Sequence, residues 1–312
     1  MDITKPISLI EAPHIKTGYE LLDVMKDVRN IQSSYKPSYS PLTNRASFII
    51  NTLNELGVSY ELDIFDAAGY DLYDYTNSKL LNIIVKFGSR SGKPAIVFSA
   101  HHDISNPHSE NCQDNTASVC NLLHLCAKLK GQAYGESKNL LESRPVIIVF
   151  TDREEAGGVG ARRMSQRLLR GDFGKFEYVI NLELTGLGTS VWADTENFGW
   201  HHRDPDVPAS IIKVEEILGL GNFHKVQTPF SDSYIFRRCG IDSVCIGILP
   251  IEEVLEIEKN KGRQDTWSLC HSEQDTIEKC NEKDMMDFTN ILERFVTGIP
   301  TEDAVAGRTI PH

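Results

Sequence analysis

The sequence predicts an α/β fold, a three-layer sandwich in which a mixed, mostly parallel central sheet is flanked by helices on both faces. From residue 94 onward, short apolar segments alternate with segments whose apolar residues recur at helical spacing. The apolar segments are continuous rather than alternating, as in "VIIVF" at 146–150. Continuous apolar strands are typical of a sheet that helices cover on both sides.

Two helices and two strands are predicted before this alternation. Apolar residues at helical spacing predict helices over 18–31 and 43–57, and Gly57 ends the second as a C-cap residue would. Short strands are predicted over 59–65 and 80–87. These four elements form a lead-in to the central part of the fold.

The alternation predicts three strands, over 94–100, 145–151 and 178–184. Between the first two strands, a helix from about Asn115 is predicted by a stripe of apolar residues at i, i+3, i+4 and i+7 spacing. The stripe consists of Val119, Leu122, Leu123, Cys126 and Leu129. Because this face is apolar, its cysteine is expected in the core.

The remaining periodic segments predict more helices and one late strand. The helices are expected over 160–170, 208–221 and 282–296, and the strand over 242–249. No internal repeat or linker-like segment divides the chain. We therefore expect one domain over 1–300 and a C-terminal tail over 301–312.

The composition is that of a globular, acidic chain. The 312 residues include 40% hydrophobic and 24% charged residues, which argues against disordered and fibrous architectures. Lys and Arg number 32 and Asp and Glu number 44, so the net charge is −12. A chain this acidic repels phosphate backbones, which argues against nucleic acid as a partner.

The cysteines and the hydropathy pattern bear on the cellular compartment. The chain has seven cysteines without a CxxC pair, which favours reduced thiols over a disulfide framework. No apolar run is long enough to span a bilayer, and the N-terminus assembles no apolar signal core. We expect a cytoplasmic protein without a membrane partner, and the oligomeric state stays open.

Side chains able to bind metal follow three of the predicted strands directly. His101 and Asp103 follow the first strand of the alternation, Glu154 and Glu155 follow the second, and Glu183 follows the apolar run "YVINL" of the third. In open α/β sheets, ligands bind in the crevice beyond the carboxyl ends of the strands. These five side chains are therefore expected at one edge of the sheet.

Two further candidates are expected in neighbouring segments. Asp114 stands at the start of the helix that follows, and His271 lies in the loop before the last helix. Zinc accepts imidazole nitrogens and carboxylate oxygens, and two zinc ions that lie close together need a carboxylate between them. Two histidines and three carboxylates can supply such a site.

The adjacent residues Glu154 and Glu155 can have different roles. Neighbours on a chain that leaves a strand point in different directions, so one carboxylate can bind metal while the other faces the attacking water. The second carboxylate can take a proton from that water and later give it to a leaving amine. The plainer alternatives are that the pair lies at the positive end of a helix dipole and that Asp114 is only an N-cap residue.

Six short motifs occur in order along residues 80–297. They are "AHHD", "QDN", "DREEAGGVGA", "INLELTG", "SDSYIFRRCGIDSV" and "HSEQDT". In this order they resemble the motifs of the co-catalytic di-zinc aminopeptidase family, whose relatives include leucyl aminopeptidases, glutamate carboxypeptidase-type enzymes and glutaminyl cyclases. Each motif alone is weak, whereas six in order at plausible spacing are a specific signal.

The resemblance implies two zinc ions per chain, with a role for each candidate ligand. His101 and Glu183 would bind the first zinc, Glu155 and His271 the second, and Asp114 would bridge the two. All five implied ligands are present in the sequence. Their presence counts against a binding module that has kept the fold but lost the chemistry.

Two more residues are implied to be catalytic without binding metal. Glu154 would act as general base and then as general acid. Asp103 would hydrogen-bond the ring of His101, as metal-bound histidines usually require. Tyr234 and Asp232 are weaker candidates for substrate contacts, and Trp200 and Trp267 are candidates for a lid.

The function implied by the resemblance is that of a zinc-dependent exopeptidase, in the first place an aminopeptidase, acting on a peptide or small amide. Glu183 stands where the family most often has aspartate, and Ser118 stands where glycine is common. Because Glu183 replaces the usual aspartate, the assignment as a hydrolase is better supported than the narrower assignment as an aminopeptidase. The alternatives are a zinc carboxypeptidase or N-acyl amidohydrolase, and a single-zinc acyltransferase similar to glutaminyl cyclases.

Overall fold

A computed structural model describes residues 43–66, 79–88, 92–106, 108–134, 144–194, 209–219, 222–227, 230–259 and 265–300. The predicted helix over 18–31 and the predicted tail over 301–312 lie outside these ranges, so the domain boundary at residue 300 stays a prediction. None of the helices in the described ranges is long and apolar enough to cross a membrane.

The strands of the described residues form one eight-stranded mixed sheet. They are β1 (Tyr60–Asp66), β2 (Lys79–Phe87), β3 (Ala95–His101), β4 (Val146–Thr151), β5 (Phe176–Leu182), β6 (Ser190–Asp194), β7 (His224–Val226) and β8 (Ser243–Leu249). Their order in the sheet is β1-β2-β4-β3-β5-β8-β6-β7. The central strands β4, β3, β5 and β8 are parallel to one another. By contrast, β2 runs antiparallel to both neighbours and β6 antiparallel to β8.

The helices alternate with these strands along the chain. They are α1 (Asn44–Glu55), α2 (Ala117–Tyr134), α3 (Val159–Leu169), α4 (Ala209–Leu218), α5 (Asp232–Arg238), α6 (Ile251–Glu258), α7 (Asp265–Ser268) and α8 (Glu282–Thr297). A π-helical turn, Cys112–Thr116, precedes α2, and a 3-10 turn, Ile277–Lys279, precedes α8.

Helices cover both faces of the sheet. Apolar side chains of α1, α2, α4 and α8 join one buried cluster, and those of α3 and α5 join another. In β3, Ile96 and Phe98 belong to the first cluster and Val97 to the second, because successive side chains of a strand point to opposite faces. The α/β sandwich with a mixed central sheet is therefore confirmed.

Local sequence signals explain where α1 begins and ends. The Thr43 side chain caps the helix by accepting a hydrogen bond from the Ala46 backbone N–H at 3.0 Å. Gly57, one residue beyond the C-cap, has a φ of +60°, a left-handed conformation that glycine adopts without steric cost. The predicted stop at Gly57 is confirmed.

The segment before α2 differs from the prediction. The helix expected from about Asn115 begins at Ala117, because Asp114 (φ −125°, ψ 80°) and Asn115 have non-helical backbone dihedrals within the π-helical turn. The Asp114–Asn115 peptide bond is cis. The turn presents Asp114 outside the regular helix.

The sequence did not predict several short elements between residues 190 and 268. They are β6, β7, α6 and α7, which contain three to eight residues each. Segments this short complete too few periods for a hydrophobic pattern to distinguish helix, strand and loop. Their assignment depends on tertiary pairing.

Gly160 lies where α3 packs against the segment that leads to Glu154. A Cβ on Gly160 would lie 2.4 Å from the Asp152 carbonyl oxygen and 2.5 Å from Asn82 Oδ1. We expect Gly160→Ala to lower the free energy of unfolding by about 1–3 kcal/mol, because the added methyl group overpacks this contact. Gly131→Ala in α2 is the control, since a Cβ there meets nothing within 4 Å. Equal losses in chemical denaturation would contradict the packing explanation.

Candidate metal centre

The candidate residues meet at the carboxyl ends of the parallel strands. His101 is the last residue of β3, and Glu183 directly follows β5. Glu154 and Glu155 lie in the turn after β4, which is the other neighbour of β3. Because these strands run parallel, their carboxyl ends lie at the same edge of the sheet.

One cluster contains His101, Asp114 and Glu183. His101 Nε2 lies 3.0 Å from Asp114 Oδ1 and 3.6 Å from Glu183 Oε2. One donor atom from each residue falls within 4.8 Å of the others. The imidazole is buried, while the two carboxylates are partly exposed to the adjoining cavity.

A second cluster contains Asp114, Glu155 and His271. His271 Nε2 lies 3.1 Å from Asp114 Oδ2 and 3.1 Å from Glu155 Oε2. The two Asp114 oxygens thus face different histidines, since Oδ1 contacts His101. A carboxylate that serves two adjacent metal sites needs this arrangement.

The charge balance of these clusters favours a bound cation. Hydrogen bonds to Asp114 and Glu155 raise the pKa of His271 to about 10. Burial opposes protonation of His101, but the neighbouring carboxylates, led by Glu183, still raise its pKa well above the ordinary value. The carboxylates therefore attract positive charge, which a divalent metal ion can supply in place of protons.

The donor set fits zinc. Two imidazoles and three carboxylates are ligand types that zinc accepts. Glu155 Oε1 is buried and has no hydrogen-bond partner among the described residues. A buried carboxylate oxygen without a partner is costly in a folded protein, and a metal ion can satisfy it.

Asp103 links the first histidine to the two glutamates. Its Oδ1 lies 3.3 Å from His101 Nδ1, within ion-pair distance but without hydrogen-bond geometry, while Nε2 of the same ring faces Asp114 and Glu183. The same carboxylate accepts the backbone N–H groups of Glu154 and Glu155 at 3.0 and 3.2 Å. Asp103 therefore orients two parts of the site at once.

Glu154 lies next to the clusters and is itself buried, with 7% of its surface exposed. Burial, together with the charges of Glu183 and Asp232, raises the pKa of Glu154 well above its ordinary value. A carboxyl group with a raised pKa beside a reaction site can hold and release a proton near neutral pH.

The structure does not place Glu154 and Glu155 at the start of a helix, and it does not make Asp114 an N-cap residue. The turn containing Glu154 and Glu155 precedes α3, which begins at Val159 after the N-cap Gly158, so the pair is not in a first helical turn. Asp114 lies inside the π-helical turn and faces the two histidines.

A cavity of about 370 Å³ opens onto the clusters. It is lined by His101, Asp114, Glu154, Glu155, Gly157, Glu183, Leu184, Phe230, Trp267, Cys270 and His271. One wall is apolar, and its Trp267 stacks on Trp192 with ring centroids 5.6 Å apart. No Lys or Arg is among the described lining residues. Trp267 is among the lining residues, whereas Asp232 and Tyr234 are not, and Trp200 lies outside the described residues.

Two residues that the sequence did not single out hold candidate ligands in place. The Asp275 carboxylate accepts the backbone N–H groups of Gln113 at 2.7 Å and Asp114 at 3.2 Å. Asn181 Nδ2 donates to Glu183 Oε1 at 3.1 Å, which leaves Oε2 facing His101. The sequence contained an indication of each role. Asp275 belongs to the "HSEQDT" motif, and Asn181 is a polar residue within an apolar strand.

Solved structures of known proteins share this fold. A zinc aminopeptidase from Bacillus subtilis is 21% identical over 71% of this chain and 50% of that chain, with a TM-score of 0.53. The LapA aminopeptidase of Legionella pneumophila is 14% identical over 93% and 77% of the two chains, with a TM-score of 0.60. Porphyromonas gingivalis glutaminyl cyclase is 16% identical over 91% and 99%, with a TM-score of 0.64.

The chain spans about half the length of the Bacillus subtilis aminopeptidase chain. No curated protein sequence matches it. The family model of peptidase family M28 matches residues 82–296, which is more than half of the 312 residues. This match confirms the resemblance seen in the ordered motifs. The chain therefore belongs to peptidase family M28.

Proposed function

We propose that the protein is a zinc-dependent exopeptidase, in the first place an aminopeptidase, that hydrolyses the terminal bond of a peptide or a small amide. The observation that carries this proposal is the pair of clusters that share Asp114 beside the buried carboxyl of Glu154. Membership of peptidase family M28 supports the reaction class.

Each cluster would hold one zinc ion. His101, Asp114 and Glu183 would bind the first, and Asp114, Glu155 and His271 the second. When bound, zinc supplies a Lewis acid that polarises a carbonyl group and lowers the pKa of water.

The protein's own groups would orient the reactants and move the proton. Glu154 accepts a proton from the attacking water on a carboxylate oxygen and then donates it to the leaving nitrogen. Asp103 keeps the His101 ring and the Glu154 backbone in place through contacts of 3.3 and 3.0 Å. Because Glu154 is buried, bulk water does not screen its charge.

The lining of the cavity favours a substrate with a free amine over one with a free carboxylate. The charged side chains among the described lining residues are carboxylates and histidines, without a Lys or Arg to pair with a substrate carboxylate. Leu184, Phe230 and Trp267 offer apolar surface for a side chain. This combination supports an aminopeptidase over a carboxypeptidase.

An acyltransferase with a single zinc is the second candidate. The observation that favours it is the similarity to Porphyromonas gingivalis glutaminyl cyclase, which extends over 99% of that chain. In such an enzyme the free amine of an N-terminal glutamine would attack its own side-chain carbonyl, and the side-chain amide nitrogen would leave as ammonia, so that no water is consumed. The number of zinc ions per chain distinguishes the two candidates.

We also propose that the protein resides in a reducing compartment. All seven cysteines are free thiols, and Cys112, Cys120, Cys126 and Cys245 are buried. Buried thiols without disulfides suit the cytoplasm. The expected partners remain a peptide or small amide substrate, with neither nucleic acid nor membrane.

A substrate panel tests the proposal. Zinc-loaded protein is given leucine p-nitroanilide, the same compound with an acetylated amine, a peptide with a blocked N-terminus and free carboxylate, and a peptide with N-terminal glutamine. We expect release of product from the free-amine substrate and no cleavage of the acetylated one. Preferential cleavage of the blocked peptide, or ring closure of the glutamine peptide without hydrolysis, would contradict the aminopeptidase.

Glu183 offers a prediction that separates the two zinc sites. Glu183→Ala should weaken binding of the first zinc more than the second, because its carboxylate belongs only to the first cluster. Glu183→Asp keeps the ligand type but shortens its reach, and catalytic geometry tolerates only about 0.5 Å of error. We therefore expect Glu183→Asp to retain fold and zinc while its turnover or substrate preference changes.

Zinc titration with parallel turnover measurements distinguishes these outcomes. An alanine variant that binds two zinc ions as tightly as the parent would remove Glu183 from the ligand set. A parent protein that binds only one zinc ion would instead strengthen the single-zinc alternative.

A further inference from the structure

The side chain of Arg45 reaches from α1 into the loop that carries two candidate site carboxylates. Arg45 is buried, with 5% of its surface exposed. It lies outside residues 82–296, which the peptidase M28 model matches. Its partners are 58 to 71 residues away in the sequence.

The guanidinium contacts both ends of this loop, which connects β3 with α2. Nη1 donates to the Asp103 carbonyl oxygen at 2.9 Å, near the start of the loop. Nη2 donates to the Asn111 carbonyl oxygen at 3.4 Å and to Thr116 Oγ1, near its end. A planar guanidinium has five N–H donors in a fixed fork, so it can join such separate acceptors in one defined geometry.

The clamped loop carries the groups that the metal site depends on. Asp103 begins it and orients His101, while Asp114 lies between the Asn111 and Thr116 contacts and faces both histidines. Asp275 holds the Asp114 backbone from the other side through the N–H groups of Gln113 and Asp114. The position of the Asp114 carboxylate is thus supported from two directions.

We propose that Arg45 is a positioning residue, which holds the 103–116 loop in the shape that lets Asp103 and Asp114 serve the metal site. The inference rests on the proposed zinc site. Arg45 itself makes no contact with the cavity and is not among its described lining residues. Its effect therefore passes through the loop backbone and the Thr116 hydroxyl.

The simplest competing explanation is that Arg45 only stabilises the fold. Arg237 is a matched control, because it is also largely buried and bonds a backbone carbonyl and a side chain. It donates to the Ser243 carbonyl at 3.1 Å and to Asp194 Oδ2 at 2.7 Å, and none of these three residues lines the cavity. A purely structural role predicts similar behaviour of Arg45→Met and Arg237→Met.

The test measures zinc affinity of the full chain by competition with a chromophoric chelator, and thermal unfolding of the same samples. We expect Arg45→Met to weaken zinc binding by about 10- to 100-fold, the range found when outer partners of metal ligands are removed. Arg237→Met should lower the unfolding temperature and leave zinc affinity unchanged. Thr116→Val, which removes one of the three contacts, should weaken zinc binding in the same direction but less.

The outcomes separate this inference from the proposed function. A folded Arg45→Met that binds zinc as tightly as the parent overturns the positioning role and leaves the metal site intact. If Arg45→Met does not fold, the decision passes to Thr116→Val, and unchanged affinity there overturns the role. A parent protein without zinc affinity overturns the proposed function and the inference with it.

Discussion

Replacing Glu154 by glutamine is expected to lower kcat for peptide hydrolysis by about 10²–10⁴-fold, the usual contribution of a general acid–base group. The amide has nearly the shape of the carboxyl group but cannot accept the proton of the attacking water. Glu154 is buried and belongs to neither of the two clusters that share Asp114, although its carboxylate forms a third group of donor atoms with His101 and Glu155. Because the proposed mechanism gives Glu154 no zinc to bind, fold and zinc content should remain those of the parent.

Glu293→Gln is a suitable control for this substitution. Glu293 pairs with Lys128 at 2.7 Å, away from the cavity lining, so its neutralisation should leave turnover unchanged. Steady-state kinetics of the zinc-loaded variants, with zinc content measured on the same samples, provides the comparison. Near-normal turnover of Glu154→Gln would exclude Glu154 as the proton carrier.

Asp114→Asn is expected to weaken both zinc sites at once and to abolish hydrolysis. The Asp114 oxygens face His101 at 3.0 Å and His271 at 3.1 Å. An asparagine has one oxygen and no charge, so it cannot serve both clusters. The loss of zinc affinity should exceed the roughly 100-fold upper range for residues that act from outside the ligand set.

Asp275→Asn is the informative comparison for Asp114. Asp275 contacts the backbone of Gln113 and Asp114, but it belongs to neither cluster. We expect it to weaken zinc binding by about 10- to 100-fold, less than Asp114→Asn. Equal effects of the two substitutions on both zinc sites would be evidence against a shared ligand at Asp114.

The central strands could be predicted from the sequence because their apolar runs extend over nearly the whole strand. Every residue of β4 is buried, as the continuous apolar run indicated. The stripe of α2, including Cys126, is buried as well. By contrast, β7 has three residues, and only its pairing with β6 defines it as a strand.

The candidate ligands were predictable because each one follows a strand or stands in a recognisable motif. Glu183 directly follows β5, and His101 ends β3. Arg45 carried no such signal, since its partners are backbone carbonyls and a hydroxyl at least 58 residues away. Contacts of that kind depend on how α1 packs against the loop, which residue types and spacing do not encode.

Anomalous diffraction at the zinc absorption edge, from crystals of zinc-saturated protein, tests the paired site most directly. We expect two peaks, one beside His101 and Glu183 and the other beside Glu155 and His271, with the Asp114 carboxylate between them. A map with no peak in these two clusters, or with a peak in only one, would contradict the paired site.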